Sequence, residues 1–406
     1  MLESQVDLTA LALPSVEAIL RANAMEIRDV DGGEKPFLYA SGWSGPGYIL
    51  IKAMVSQDFF RRLVLLLSIK LAPKATRATF VAGNVTGGVI PGWLLSQYLE
   101  LLLNRDVNFL YVKGTRFRGE EKDNPVIVVD KKHLERMAQH LSMETILNLP
   151  NIDFVAGASP GGMILAWRIS EILSLHTGKY VPFVYVREQR KAGGHEELIT
   201  GIQGNSFFKP GMTALAVGQA SNINESTRHV QKALEESGFE SWPIHAASSH
   251  EQFAGFNDEE MKGIEYPLEH RRNLRSISQS GSISEAESSE DNRLIDLNSE
   301  GIVAEELANF AHSTCVSASI LEEDFGLHVP NAACILFYDN PAAKRALSLE
   351  GMDMTYLLTL PQLLNAAKHF RTHSGRAIKC FRSFLVDPEG WNKRRNIERV
   401  ARGGTQ

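Results

Sequence analysis

Three stretches of this chain carry residues whose types and spacing could do chemistry. FVAGNVTGG (80–88) and FVAGASPGG (154–162) each place glycines between a short apolar run and a helical pattern. Glycines there let the backbone approach a ligand and gather N–H groups at a helix start, which suits an anion. The same turn also serves plain close packing of helix on strand. Neither stretch is a Walker loop, because no Lys-Ser or Lys-Thr follows the glycines. The third stretch is GIVAEELANFAHST (301–314), an apolar strand ending in Glu305-Glu306 and a small polar turn of Asn309, Ala311, His312, Ser313 and Thr314. Two adjacent acids at a strand end can accept hydrogen bonds from vicinal hydroxyls, and a Ser/Thr turn opening a helix can hold a phosphate monoester. A ribose 5-phosphate satisfies both. The plainer readings are a solvated strand end for the acids and a helix cap for His312.

The elements that must position these residues come in pairs. At an offset of 74, residues 80–119 align with 154–193 without a gap and share 17 identities in 40 positions, too many for shared composition. Each copy reads as strand, Gly-rich turn, amphipathic helix and strand. A weaker match at an offset of 87 aligns 216–239 with 303–326, through Asn222/Asn309, Ser226/Ser313 and Thr227/Thr314. There the upstream copy has Gly218-Gln219 where the downstream copy has the acids, so it lacks the means to grip a ribose. AACILFYD (332–339) follows as a strand, whereas SWPIHAASS is a poorer strand candidate. Strands alternating with helices predict an α/β fold built on a parallel sheet.

Composition bounds the rest. The chain has 406 residues, 44% hydrophobic and 22% charged, with a formal net charge of −6, which disfavours nucleic-acid backbone as a partner. The three cysteines lack metal or pairing spacing and fit a reducing compartment. The start has early acids and no basic region ahead of its apolar residues, and no apolar run reaches 18 residues. A cytoplasmic protein without membrane spans is expected. HRRNLRSISQSGSISEAESSEDN (270–292) should be a disordered linker; its RRNLRSIS also has the look of a kinase substrate. GWNKRRNIERVARGGTQ predicts a basic helix fraying into a tail.

Taken together, these stretches resemble the type I phosphoribosyltransferases, most closely the orotate phosphoribosyltransferase branch. FLYASGWSGPGYILIKAMVSQDFFRRLVLLLS (37–68) is similar to that branch's N-terminal hood, and FVAGASPGGMILAWRIS to its pyrophosphate loop and helix. PFVYVREQRKAGGHEELITG (182–201) resembles its mobile basic loop, and CILFYDNPAAKRALSLEGMDMTYLLTLPQLLNAA (334–367) its closing strand, helix and LLTL segment. The likeness spans about residues 15–370. It implies a parallel-sheet core with a hood over residues 1–75, a first strand–loop–helix–strand unit over 76–150 and a second over 151–215. A degenerate copy with the Ser-rich linker fills 216–300, the ribose-phosphate motif and closing strand 301–370, and a basic tail 371–406.

The resemblance implies a glycosyltransferase of nucleotide synthesis and pyrimidine metabolism. Such an enzyme moves a 5-phosphoribosyl group from phosphoribosyl diphosphate to a nitrogenous base, orotate or a relative. The resemblance also implies Mg²⁺ bound mainly through the substrate, and a homodimer. Ala158, Ser159, Gly161, Gly162 and Arg190 then hold pyrophosphate, Arg187, Lys191 and His195 act in catalysis, and Glu305, Glu306 and residues 309–314 hold the ribose phosphate. Phe37 and Tyr39 either stack on the base or pack in the hood. Two departures bear on the base: the hood lysine of the family falls at Ala40, and the arginine after the closing strand's aspartate at Asn340. A non-catalytic nucleotide- or phosphosugar-binding regulator on the same fold is the alternative, and an interaction scaffold a third reading.

Overall fold

The computed structural model of the protein describes residues 8–39, 43–113, 126–149, 151–189, 197–219, 223–244, 264–268 and 299–400. The chain opens with α1 (Leu8–Arg21) and four short strands, β1 (Met25–Ile27), β2 (Phe37–Leu38), β3 (Ser44–Gly45) and β4 (Gly47–Ile49), then α2 (Phe60–Leu71). The first loop unit follows as β5 (Ala78–Asn84), α3 (Val89–Leu103), β6 (Asn108–Val112) and β7 (Val126–Val129), with α4 (Lys131–Asn148) leading on. The second is β8 (Phe154–Ala158), α5 (Met163–Thr177), β9 (Phe183–Val186) and β10 (Ile199–Thr200). After it come β11 (Thr213–Val217), α6 (Ile223–Glu236), β12 (Glu240–Pro243) and β13 (Glu265–Pro267). The last part runs β14 (Glu300–Ala308), α7 (His312–Ser319), β15 (His328–Phe337), α8 (Pro341–Leu349), β16 (Asp353–Thr359) and α9 (Leu360–His369), ending in α10 (Gly375–Val386) and α11 (Pro388–Lys393).

Two main sheets result, each mostly parallel. The larger has the order β13-β7-β6-β5-β14-β15-β16, the smaller β10-β9-β8-β11-β12. The expected α/β class with a parallel-dominated sheet is what the chain adopts. The SWP of the weak strand candidate does form a strand, because β11 offers it a parallel partner over 213–216.

Burial on both faces explains the strand sequences, since a parallel sheet is covered by helices on each side. In β5, Val81 points into the central core while Phe80 and Ala82 join the cluster on the other face; in β8, Val155 and its neighbours Phe154 and Ala156 divide the same way. The central core lies between the sheets, where α3 packs on α5. This is why α3 is apolar nearly all round, burying Val89 to Ser96 without interruption. Trp93 and Trp167, one on each helix, are core residues there, as their sequence positions suggest. A charge cluster ties α2, α4 and α5 together: buried Glu171 pairs with Arg61 (3.1 Å) and with Arg168, which also reaches Glu135 (2.8 Å).

The N-terminal strands dock on the C-terminal helices. Asn392 donates to the carbonyl of Ser44 (2.8 Å), and Arg376 grips Asp29 with Nε at 2.8 and 2.9 Å from the two carboxylate oxygens. The basic run after α11 is not the helix its sequence suggests. Arg395 lies over the Trp391 ring (4.1 Å) and bonds Asp31 at 2.5 Å, so these basic residues pack rather than extend the helix. The Ser-rich stretch 270–292 lies outside the described residues. Among those described, no helix is long and apolar enough to cross a membrane.

Candidate functional site

Strand order decides which loop meets the acids. β14 lies beside β5, with Gly301 opposite Phe80 and Ala304 opposite Gly83. Glu305 therefore emerges next to the first glycine loop, at the carboxyl ends of parallel strands where α/β proteins place ligands. Its Oε1 accepts from Asn84 Nδ2 (2.6 Å), at the end of β5, and from Ser313 Oγ (2.8 Å), in the first turn of α7. One buried carboxyl thus joins the loop strand, the acidic strand and the polar turn. Burial and the neighbouring Glu306 charge push Glu305 well above the usual carboxylate range, and the Ser313 and Asn84 hydrogen bonds pull it back. Glu306 lies against Gly87, where any Cβ would overlap its carboxyl.

The backbone of the loop presents few donors, and they can be counted. Val85 N–H bonds Val112 O (3.1 Å), Gly88 N–H bonds Asn84 O (2.8 Å) and Val89 N–H bonds Thr86 O (3.4 Å). Thr86 and Gly87 keep N–H groups with no backbone partner among the described residues, just ahead of the 15-residue helix α3. Unpaired donors at a helix start favour negative charge.

The turn 309–311 is held from the far side. Asn340, which caps α8 by accepting from Ala343 N–H (2.8 Å), donates to Asn309 O (2.6 Å). Ala311 takes a left-handed backbone (φ 55°), a conformation glycine adopts without steric cost. His312 and Ser313 are exposed, whereas Thr314 is fully buried with a hydroxyl that has no partner among the described residues.

The second loop has the same backbone but other neighbours. Ser159 N–H bonds Val186 O (2.9 Å) and Gly162 N–H bonds Ala158 O (2.8 Å), the counterparts of the first-loop bonds. Cis peptides fall at Val85–Thr86 and at Ser159–Pro160. β11 meets β8 with Ala214 opposite Phe154 and Val217 opposite Gly157, which is the β14–β5 register once the offsets of 87 and 74 are applied. Gly218 and Gln219 therefore stand where Glu305 and Glu306 stand on the first loop, and Ala158 stands where Asn84 does. Gln219 Nε2 donates to Ser159 O (3.0 Å), and its backbone N–H donates to Ser226 Oγ (2.7 Å).

The resemblance favours loop 157–162 for pyrophosphate because of the basic segment after it, whereas strand pairing brings the acids to loop 83–88. Ala158, Ser159, Gly161 and Gly162 sit beside Gly218-Gln219 rather than beside the acids. They also offer little to an anion: Ser159 and Gly162 N–H are used, Pro160 has none, and Gly161 remains. Arg190, Lys191 and His195 lie outside the described residues. Arg187 is described; its Nε donates to Thr200 Oγ1 (3.2 Å), and its carbonyl lies 2.8 Å from His229 Nε2. Tyr185, two residues before it, is buried close enough to Glu306 to feel its charge. The two hood aromatics are enclosed. Phe37 is buried beneath the Arg28 guanidinium (3.6 Å), and Tyr39 donates to Gly47 O and packs on Phe384 (5.7 Å between rings).

Two residues escaped the sequence reading. Asn84 carried a signal: the copies differ jointly at Asn84/Ala158 and Glu305/Gly218, as partners of one hydrogen bond would. Glu265, on β13, accepts from Tyr111 OH (3.2 Å), and burial pushes its carboxyl up to about 8. Nothing in its flanking sequence marks it.

No family model and no curated protein matches the chain. Among solved structures it is similar to the UMP synthase of Leishmania donovani, at 13% identity over 92% of this chain and 42% of that one, with a TM-score of 0.31. It is also similar to the orotate phosphoribosyltransferase from Aeropyrum pernix, at 10% identity over 87% and 98% of the two chains, TM-score 0.35. A third is the adenine phosphoribosyl transferase from Trypanosoma brucei in complex with AMP, pyrophosphate and ribose-5-phosphate, at 11% identity over 62% and 76%, TM-score 0.16. The chain thus spans less than half the length of the UMP synthase structure.

Proposed function

We propose that the site formed by 83–88, Glu305-Glu306 and 309–314 binds a phosphoribosyl diphosphate and that the chain transfers its phosphoribosyl group to a nitrogenous base. The observation that carries this reading is the Glu305 carboxyl, held at once by Asn84 of the loop strand and Ser313 of the polar turn. A diphosphate fits the Thr86 and Gly87 N–H groups at the head of α3, which have no backbone partner among the described residues, once the Glu306 carboxyl that lies against Gly87 turns to the ribose. The ribose hydroxyls fit the two acids, and the 5-phosphate fits the start of α7 with the Ser313 hydroxyl. Among the described residues no three His, Cys, Asp or Glu side chains group to hold a metal, so Mg²⁺ is proposed to enter with the diphosphate oxygens.

In this scheme the chain's own residues bind and orient the sugar so that a base nitrogen displaces pyrophosphate at C1, and the loop amides stabilise the charge growing on the leaving group. Lys191 and His195 remain the proposed basic residues of the segment beyond Arg187. With Asn340 engaged in capping α8, the base end carries no arginine at that position, which favours a base other than orotate. A homodimer in the cytoplasm stays part of the proposal.

A binding protein without turnover is the second reading. It is favoured by the turn at 309–311, where Ala311 and the Asn309–Asn340 bond stand in for a glycine-rich segment. Calorimetry with phosphoribosyl diphosphate, with and without Mg²⁺, tests the site. Each charged hydrogen bond is worth roughly 1.5–3 kcal/mol, so Glu305→Ala with Glu306→Ala should weaken binding by about 10²–10⁴-fold. Unaltered affinity in the double variant refutes the site. Tight binding with no pyrophosphate released in the presence of a panel of bases selects the regulator.

A further inference from the structure

The second glycine loop is occupied by the protein itself. Glu265 lies on β13, at the edge of the larger sheet, yet its carboxyl reaches the loop of the smaller sheet. A Cβ on Gly161 would lie 2.7 Å from Glu265 Oε2 and 3.4 Å from Gln219 Cβ. On the first loop the corresponding glycine, Gly87, is faced by the Glu306 carboxyl. In each loop a carboxyl therefore covers the same glycine, but from different strands. Glu306 belongs to the strand beside its loop and follows Glu305, which Asn84 and Ser313 hold. Glu265 comes from the opposite sheet, is held by Tyr111 OH, and has an Oε1 that is shut off from solvent with no partner among the described residues.

We propose that Glu265 is a built-in occupant of loop 157–162, and that the chain consequently takes one diphosphate group, on loop 83–88, although it carries two loops of the same backbone. Four observations converge on this. Pro160 removes one donor. At Gly161, the remaining donor residue, the Glu265 carboxyl fills the space that a side chain would take. Gln219 closes over Ser159 O. The acids that would hold a sugar are replaced by Gly218 and Gln219. The carboxyl takes its hydrogen bond from Tyr111, in its own sheet, and meets the loop of the other sheet by packing alone. The single-site stoichiometry rests on the reading given under Proposed function; the plug itself does not.

The test uses the full chain, pyrophosphate with Mg²⁺ as the probe, calorimetry for stoichiometry and amide shifts for location. The wild type should bind one pyrophosphate per chain, with shifts at Thr86 and Gly87 and none at Gly161. Glu265→Gln keeps the volume and should also bind one. Glu265→Ala should add a second, weaker phase with new shifts at Gly161. Two results overturn the plug: Gly161 shifting in the wild type at the concentrations that saturate Gly87, or a folded Glu265→Ala protein whose Gly161 stays silent at saturation. The wild-type measurement stands even if the alanine variant does not fold. Silence at Thr86 and Gly87 in the wild type, with Gly161 gained in Glu265→Ala, sinks the first-loop reading and leaves the plug standing.

Discussion

Loops 83–88 and 157–162 follow strands in the same register, bond their own backbones the same way and lead into 15-residue helices. They differ in what lies beside them. Asn84, Glu305 and Ser313 form a connected polar set on the first, while Ala158, Gly218 and Ser226 take those places on the second and Ser226 bonds the backbone of Gln219 instead. The lesson is that a glycine turn supplies a shape, and the adjacent strand decides which polar groups face it.

The largest expected effect comes from filling each loop in turn. Gly87→Ala places a methyl group inside the Glu306 carboxyl and under the proposed diphosphate, and should weaken phosphoribosyl diphosphate binding by about 100-fold or more. Gly161→Ala meets the movable end of Glu265 and should leave the affinity within about threefold. Equal losses in calorimetry would erase the distinction between the loops.

A smaller effect should follow from making the first loop resemble the second at one atom. Asn84→Ala removes a donor to Glu305, a hydrogen bond of roughly 0.5–1.5 kcal/mol for a protonated carboxyl, and should cost about two- to tenfold in affinity. An affinity equal to wild type would show that Ser313 alone positions the carboxyl.

The smallest effect concerns pH. Glu265 rises from an ordinary value of 4.5 to about 8 because it is buried, with Tyr111 and Lys113 pulling it back. The folded state holds this proton more tightly than the unfolded one, so the group's contribution to stability is present in full below 4.5. It is lost progressively as pH rises toward 8. Glu265→Gln carries no such proton. Melting curves of the two proteins should run together near pH 4 and separate by a few degrees by pH 8.5, with the glutamine variant the higher. Parallel curves would show that Glu265 is not buried against the loop.

Much of the fold was legible because apolar runs, glycine turns and amphipathic stretches are local signals. The acids at 305–306 and the polar turn were legible because their residue types are unusual at a strand end. The pairing of acid with loop was not, because parallel strands join segments far apart in the chain, and the basic segment from Arg187 to His195 pointed to 157–162. β12 was undervalued because Trp242 and Pro243 read poorly alone; a partner strand supplied what propensity did not. Glu265 was invisible because its role depends on the approach of the opposite sheet.

The 221 residues separating Asn84 from Glu305 also set an order of events during synthesis. Every strand of the smaller sheet is made before β14, so β8 can find β11 while one edge of β5 is still bare. At typical elongation rates that wait lasts roughly 10–40 s. Over that time Phe80, Val81 and Ala82 form an unpaired apolar edge, the kind of surface that recruits other chains. α5, complete by then, gives α3 an early apolar seat, and β14 must add to the bare edge of β5 before β15 and β16 join. The proposed site is therefore among the last parts of the molecule to be completed, and a nascent chain stalled before residue 300 would carry both glycine loops but neither Glu305 nor Ser313.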